Sequence, residues 1–137
     1  SAASDVYKRQ TLYKGKQIPK EHKTTKVEKE IVSTFFDKDT IGLVFKSGDK
    51  EKPYTMEVYN TDGNLKFEKK FSIPYTTVKM SGGNILLYNN SQICVMNSRG
   101  VEKYMGTIDG VVNDFFKIGW NKYLLVLDSG VNVIKFT

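Results

Sequence analysis

Apolar residues in this chain fall in short runs separated by polar, glycine-bearing turns. Ile85-Leu86-Leu87-Tyr88, Tyr123-Leu124-Leu125-Val126-Leu127 and Leu43-Val44-Phe45 are the clearest runs. Each has strand length, and none continues into the 3.6-residue spacing of an amphipathic helix. Runs that do not alternate mark strands buried on both faces. The turns between them carry Ser81-Gly82-Gly83-Asn84, Asn89-Asn90-Ser91 and Asp62-Gly63, sequences suited to hairpins. The pattern therefore predicts a succession of short antiparallel strands and no helix.

The runs repeat. Gly82 to Met96 aligns without a gap on Trp120 to Ile134, 38 residues later. Leu86 falls on Leu124, Leu87 on Leu125, Asn90-Ser91 on Asp128-Ser129, and Val95 on Val133. A second match, 37 residues apart, places Val58-Tyr59-Asn60-Thr61-Asp62-Gly63 on Val95-Met96-Asn97-Ser98-Arg99-Gly100. A repeat of ~40 residues made of short strands is the mark of propeller blades, each a four-stranded antiparallel sheet. The expected fold class is all-β, with about three four-stranded blades of an incomplete β-propeller. One blade is placed at residues 31–73 and the next at 74–110. The last, at 111–137, is expected to lack its outermost strand. Residues 11–30 are read as a linker or the remnant of a preceding blade. On this reading the first blade should present Val44, Phe45 and Val58 where a missing neighbour would sit.

Composition adds few constraints. The chain has 137 residues, enough for one domain, with 39% hydrophobic and 26% charged residues, an ordinary soluble balance. The 12% aromatic content favours strands. Net charge is +6, densest from Lys14 to Glu30, but only two arginines occur and no stacking motif interleaves with them. Lysines on sheet edges, which block edge-to-edge pairing, account for the excess, so no nucleic-acid partner is expected. No run of 18 apolar residues is present to span a membrane.

Candidate chemistry is sparse. His22 is the single histidine and Cys94 the single cysteine, so no catalytic triad, zinc site or intramolecular disulfide can be assembled. Cys94, between Ile93 and Val95, is read as a small core residue, and His22 as a solvated loop residue. Asp37 and Asp39 flank a turn but lack the further acids of a calcium loop. No glycine pattern that cradles phosphate occurs. Catalytic residues, a metal and a cofactor are accordingly not expected. Two features remain for binding. Trp120 lies in a predicted hairpin, where an exposed indole could stack on a ligand. The charged stretch Asp49, Lys50, Glu51 and Lys52, within the long loop Ser47–Pro53, reads as a surface insertion at a blade rim, and Asp109–Asn113 is a second candidate rim loop.

Two resemblances add to this. Ser1 to Gln10 (SAASDVYKRQ) resembles a translated sequencing-adapter read-through that recurs in metagenomic gene predictions, which would make residues 1–10 an artefactual leader. Val95–Gly110 (VMNSRGVEKYMGTIDG) and Asn121–Thr137 (NKYLLVLDSGVNVIKFT) resemble the C-terminal part of a bacterial domain family of unknown function. Its members carry an N-terminal membrane helix followed by a quinoprotein-like, YVTN-like or WD-type propeller outside the cytoplasm. The likeness extends more distantly to pyrroloquinoline-quinone-type repeat proteins and to scaffold propellers of envelope assembly. It implies a non-catalytic scaffold at the cell envelope, tethered by a membrane helix missing from this sequence, with a protein or glycan partner. A fragment of a quinoprotein-like enzyme and a cytosolic protein-interaction propeller are the alternatives.

Overall fold

A computed structural model describes Lys20 and residues 29–137. The leader at residues 1–10, the strand remnant around Lys14-Gly15, and His22 lie outside the described residues. The remainder forms eleven strands in three antiparallel sheets. The first sheet holds β1 (Ile31–Asp37), β2 (Thr40–Lys46), β3 (Tyr54–Asn60) and β4 (Leu65–Phe71). The second holds β5 (Thr77–Ser81), β6 (Asn84–Tyr88), β7 (Gln92–Met96) and β8 (Glu102–Thr107). The third holds β9 (Val112–Gly119), β10 (Lys122–Leu127) and β11 (Gly130–Lys135). Each sheet is a meander in which sequential strands are neighbours. These boundaries follow the apolar runs closely, and the all-β architecture of propeller-type blades is the one the repeat predicts.

The repeat is visible as hydrogen bonding. In the turn after β3, the Asn60 carbonyl accepts from Gly63 N (3.0 Å), and the Asn60 side chain accepts from the N–H groups of Asp62 and Asn64 (3.0 Å each). In the turn after β7, Asn97 does the same with Gly100 (3.0 Å), Arg99 (2.9 Å) and Val101 (3.0 Å). Gly63 and Gly100 both sit in left-handed backbone, at φ 82° and 81°. This conformation costs glycine little and other residues more. Each turn is followed by a one-residue bulge, at Lys66 and at Lys103. The asparagine that bonds its own turn and the glycine that closes it explain why N-x-x-G recurs.

The sheets pack face to face in series. Phe35, Val44, Met56, Val58 and Phe71 of the first sheet meet Ile85, Leu87, Cys94 and Met96 of the second. The other face of the second sheet, through Leu86, Tyr88, Ile93 and Val95, meets Phe115, Tyr123, Leu125 and Leu127 of the third. β6 and β7 are thus apolar on both faces because both faces are covered. Phe35 lies opposite Gly42 with its ring over the glycine; a Cβ there would come within 2.0 Å of it.

One expectation is corrected. Val44 and Val58 do not face outward; they are fully buried against the second sheet. Phe45 is on the opposite face of β2 from Val44, yet it too is fully buried. On that outer side Phe36, Ile41 and Leu65, in one cross-strand row, are exposed. Thr55, opposite Phe45, is also sealed, and its hydroxyl has no hydrogen-bond partner among the described residues.

Candidate functional site

In a meander, successive turns alternate between the two ends of the sheet. The β1–β2, β3–β4, β5–β6, β7–β8 and β9–β10 turns therefore share one rim. The remaining turns and the connections between sheets share the other. Cross-sheet bonds show that the three sheets stand in the same sense. On the first rim, Lys117 N donates to Ser81 Oγ (2.8 Å) and Lys69 Nζ to the Gly100 carbonyl (2.6 Å). On the second, Val112 N donates to the Asn90 carbonyl (2.8 Å), and the hydroxyls of Ser33 and Tyr75 are 2.6 Å apart.

This arrangement separates the sequence candidates. Trp120 stands at the tip of the β9–β10 hairpin on the first rim, 82% exposed. It is followed by Asn121 at φ 47°, the position that Gly83 fills in the preceding copy. Asp49, Lys50, Glu51 and Lys52 lie in the β2–β3 loop on the second rim. The structure does not bring the two together. It does place the 109–113 connection on the second rim, where Asp128 N donates to the Val111 carbonyl (3.1 Å) and Asn113 Nδ2 to Asp128 Oδ1 (2.6 Å).

The β2–β3 loop is held from inside. Ser47 N donates to the Pro53 carbonyl (2.8 Å) and Ser47 Oγ to the Lys52 carbonyl. Asp49 N donates to Ser47 Oγ (3.1 Å), and Glu51 N to Asp49 Oδ1 (2.9 Å). With its ends tied and two side chains bonding its backbone, the loop keeps its shape at the surface. Lys46, Lys50, Pro53 and Tyr54 border an open depression of about 370 Å³ beside it.

A cluster that the chain pattern did not single out joins the second and third sheets near their first strands. Lys79 Nζ donates to Asp114 Oδ1 (2.7 Å), Tyr88 donates its hydroxyl to the same oxygen (3.2 Å), and so does Phe115 N (2.8 Å). The Lys79 ammonium also lies 5.5 Å from the Tyr88 ring centre and 5.6 Å from that of Phe116, within cation–π reach. The hydrogen bond from Lys79 is the main influence holding the Asp114 carboxyl below its ordinary pKa. The only signal in the sequence is a charge inside each of two apolar strands. The pairing itself spans 35 residues.

Cys94 is sealed between sheets, and burial pushes its thiol up to about 12, with Glu102 adding to the effect. Such a thiol is not a nucleophile at neutral pH. Asp37 and Asp39 bond the Lys38 N–H (2.7 Å) and the Thr40 hydroxyl (3.2 Å), as turn residues do. Among the described residues, no three metal-ligating side chains cluster, and no helix is long and apolar enough to cross a membrane.

Residues 6–136 match the profile of a family of unknown function, DUF5711. The chain belongs to DUF5711. The match begins inside the segment that resembles an adapter read-through and runs through all three sheets of the DUF5711 chain. No curated protein matches it in sequence. Among solved structures, BamB from Moraxella catarrhalis is similar at 17% identity with a TM-score of 0.47. The alignment covers 75% of the DUF5711 chain and spans 30% of the BamB chain.

Proposed function

We propose that this DUF5711 chain is a binding scaffold without catalytic chemistry, working at the bacterial cell envelope and holding a protein or glycan through rim loops. The β2–β3 loop carries this reading: it is braced by four internal hydrogen bonds, bears alternating charges, and stands beside a depression edged by Lys46, Lys50 and Tyr54. A loop ordered in advance loses little entropy on binding. Lysine and tyrosine side chains offer charged and stacking contacts to a protein or a sugar. Trp120 offers a separate contact on the other rim. The envelope location and the membrane tether rest on the family resemblance described above.

The test replaces Asp49, Lys50, Glu51 and Lys52 together by alanine and measures binding to a glycan array and to purified envelope proteins. Loss of binding with an unchanged melting temperature supports the reading. Ligand capture equal to wild type removes the loop from it.

A further inference from the structure

The β9–β10 hairpin ends in a two-residue tip, Trp120-Asn121, between the last paired residues Gly119 and Lys122. Trp120 is the chain's single tryptophan, and it is 82% exposed. The tips at the same place in the other two sheets, Lys38-Asp39 and Gly82-Gly83, are exposed too, although each of those sheets has another packed after it. Exposure at this place therefore belongs to the rim and does not depend on what covers the face of the sheet. The side chain is what differs. At Gly82 a Cβ would come within 2.6 Å of Lys117, so the second tip has no room for one. An indole at this place cannot be seated under a neighbouring strand as Gly82 is. Beside Trp120, the bulged Ile118 is 45% exposed.

The charge around the tip has one sign. Lys122 lies opposite Lys135, and Phe136 N donates to the Asn121 carbonyl (2.8 Å), which holds Lys135 next to the tip. Lys117 is a third cation on this rim, its Nζ 3.4 Å from the Gly82 carbonyl. No Asp or Glu occurs from Phe115 to Leu127 or from Ser129 to Thr137. The two acids of this sheet and its turns lie nearer the second rim and are bonded there, Asp114 to Lys79 and Asp128 to Asn113. In the preceding copy the places of Lys122 and Lys135 are held by Asn84 and Asn97, which stay partly exposed under a covering sheet. Cations there reach solvent whether or not the face is covered. Like charges placed opposite each other are unfavourable unless an anion comes between them.

An exposed indole ringed by lysines suits a partner that is anionic on top and apolar beneath. Tryptophan settles at the level of lipid headgroups, and each lysine close to an anionic bilayer strengthens binding by about fivefold. A protruding tip needs no matching cavity in such a partner. A stable protein interface takes about 800 Å² from each side, several times the roughly 250 Å² that one tryptophan buries. We propose that the β9–β10 tip binds the surface of an anionic lipid bilayer. Trp120 enters the headgroup layer, and Lys122 and Lys135 pair with lipid phosphates. The contact is independent of the β2–β3 loop, which stands on the opposite rim.

The experiment mixes the full chain with vesicles of phosphatidylglycerol and phosphatidylcholine, or of phosphatidylcholine alone, and reads co-sedimentation and tryptophan emission. With one tryptophan in the chain, emission reports the tip alone. Anionic vesicles are expected to carry the chain down and shift its emission to the blue, and neutral vesicles to bind it at least about tenfold more weakly. Trp120→Ala and the double change Lys122→Gln with Lys135→Gln are each expected to weaken binding to anionic vesicles by at least about tenfold, with unchanged circular dichroism melts. Trp120→Tyr, whose ring also favours the interface, keeps most of the binding. The four-alanine change in the β2–β3 loop leaves it unchanged. Emission that stays unshifted with anionic vesicles overturns the proposal, as does equal binding to the two kinds of vesicle. So does Trp120→Ala binding as wild type does, a loss in the four-alanine variant, or a blue shift produced by soluble glycerol phosphate, a glycan or a protein and not by vesicles.

Discussion

Leu86 and Leu124 hold the same place in two copies of one repeat, but their surroundings differ. Leu86 is sealed between two sheets, whereas Leu124 is half-open. The same holds along both strands. In β6 all four apolar residues are buried; in β10 burial alternates, with Tyr123, Leu125 and Leu127 inside and Leu124 and Val126 partly exposed. The repeat fixes which residues point to a given face, and the neighbouring sheet decides whether that face is sealed. A propeller blade therefore gains its stability pairwise, from the faces it shares, as expected for repeat architectures.

The comparison can be broken most directly by deleting the same side chain in both copies. Leu86→Ala leaves a cavity between two packed sheets and is expected to cost about 2–5 kcal/mol. Leu124→Ala, whose site is open on one side, is expected to cost about 1 kcal/mol or less. Urea unfolding of the two variants checks this, and equal losses would show that the two faces are equally covered. A smaller effect belongs to the turn that only the first two sheets possess. Gly100 is in left-handed backbone, and a Cβ there would come within 2.5 Å of the Phe67 ring. Gly100→Ala is expected to cost about 1–3 kcal/mol. Adding Phe67→Leu recovers the steric part and leaves the backbone part.

The contact between the compared copies can be titrated. The Asp114 carboxyl is held below the ordinary aspartate value of about 3.9, chiefly by the Lys79 hydrogen bond. A depressed carboxylate adds stability above its unfolded value and loses it as pH falls through the lower folded value. Melting temperature is therefore expected to fall below about pH 4, and Asp114→Asn to remove part of that acid-side fall. The pair is partly exposed, so its worth is at most about 1 kcal/mol and declines with added salt. The smallest effect is in the first sheet. Thr55→Val removes a buried hydroxyl that has no partner among the described residues, and is expected to raise stability by up to about 1 kcal/mol. A loss would show that the hydroxyl is satisfied in solution.

The strands were readable because short apolar runs and turn chemistry are local signals. Asn60 to Gly63 and Asn97 to Gly100 announce their turns through residues whose own side chains and backbone make them. Which way a strand faces was less readable where both sides are sealed. In Leu43-Val44-Phe45 no polar residue marks an outer face, so Val44 was expected to point away from the sheet it packs on. The candidate site was readable only in pieces. The exposure of Trp120 and the charge of Asp49 to Lys52 can be inferred from composition. That they stand on opposite rims depends on the alternation of turns across the whole sheet. The bond from Lys79 to Asp114 joins residues in different sheets, and no local pattern encodes it.

The central claim is that one repeat is sealed on both sides in the second sheet and on one side in the third. Native-state hydrogen exchange, resolved by residue, tests it most directly. The amides of Ile85 to Tyr88 and Ile93 to Met96 should exchange only through global unfolding. Those of β11, from Val131 to Ile134, should exchange much faster through local opening, at concentrations where the chain is monomeric. Equal protection of the two copies under those conditions would contradict the account.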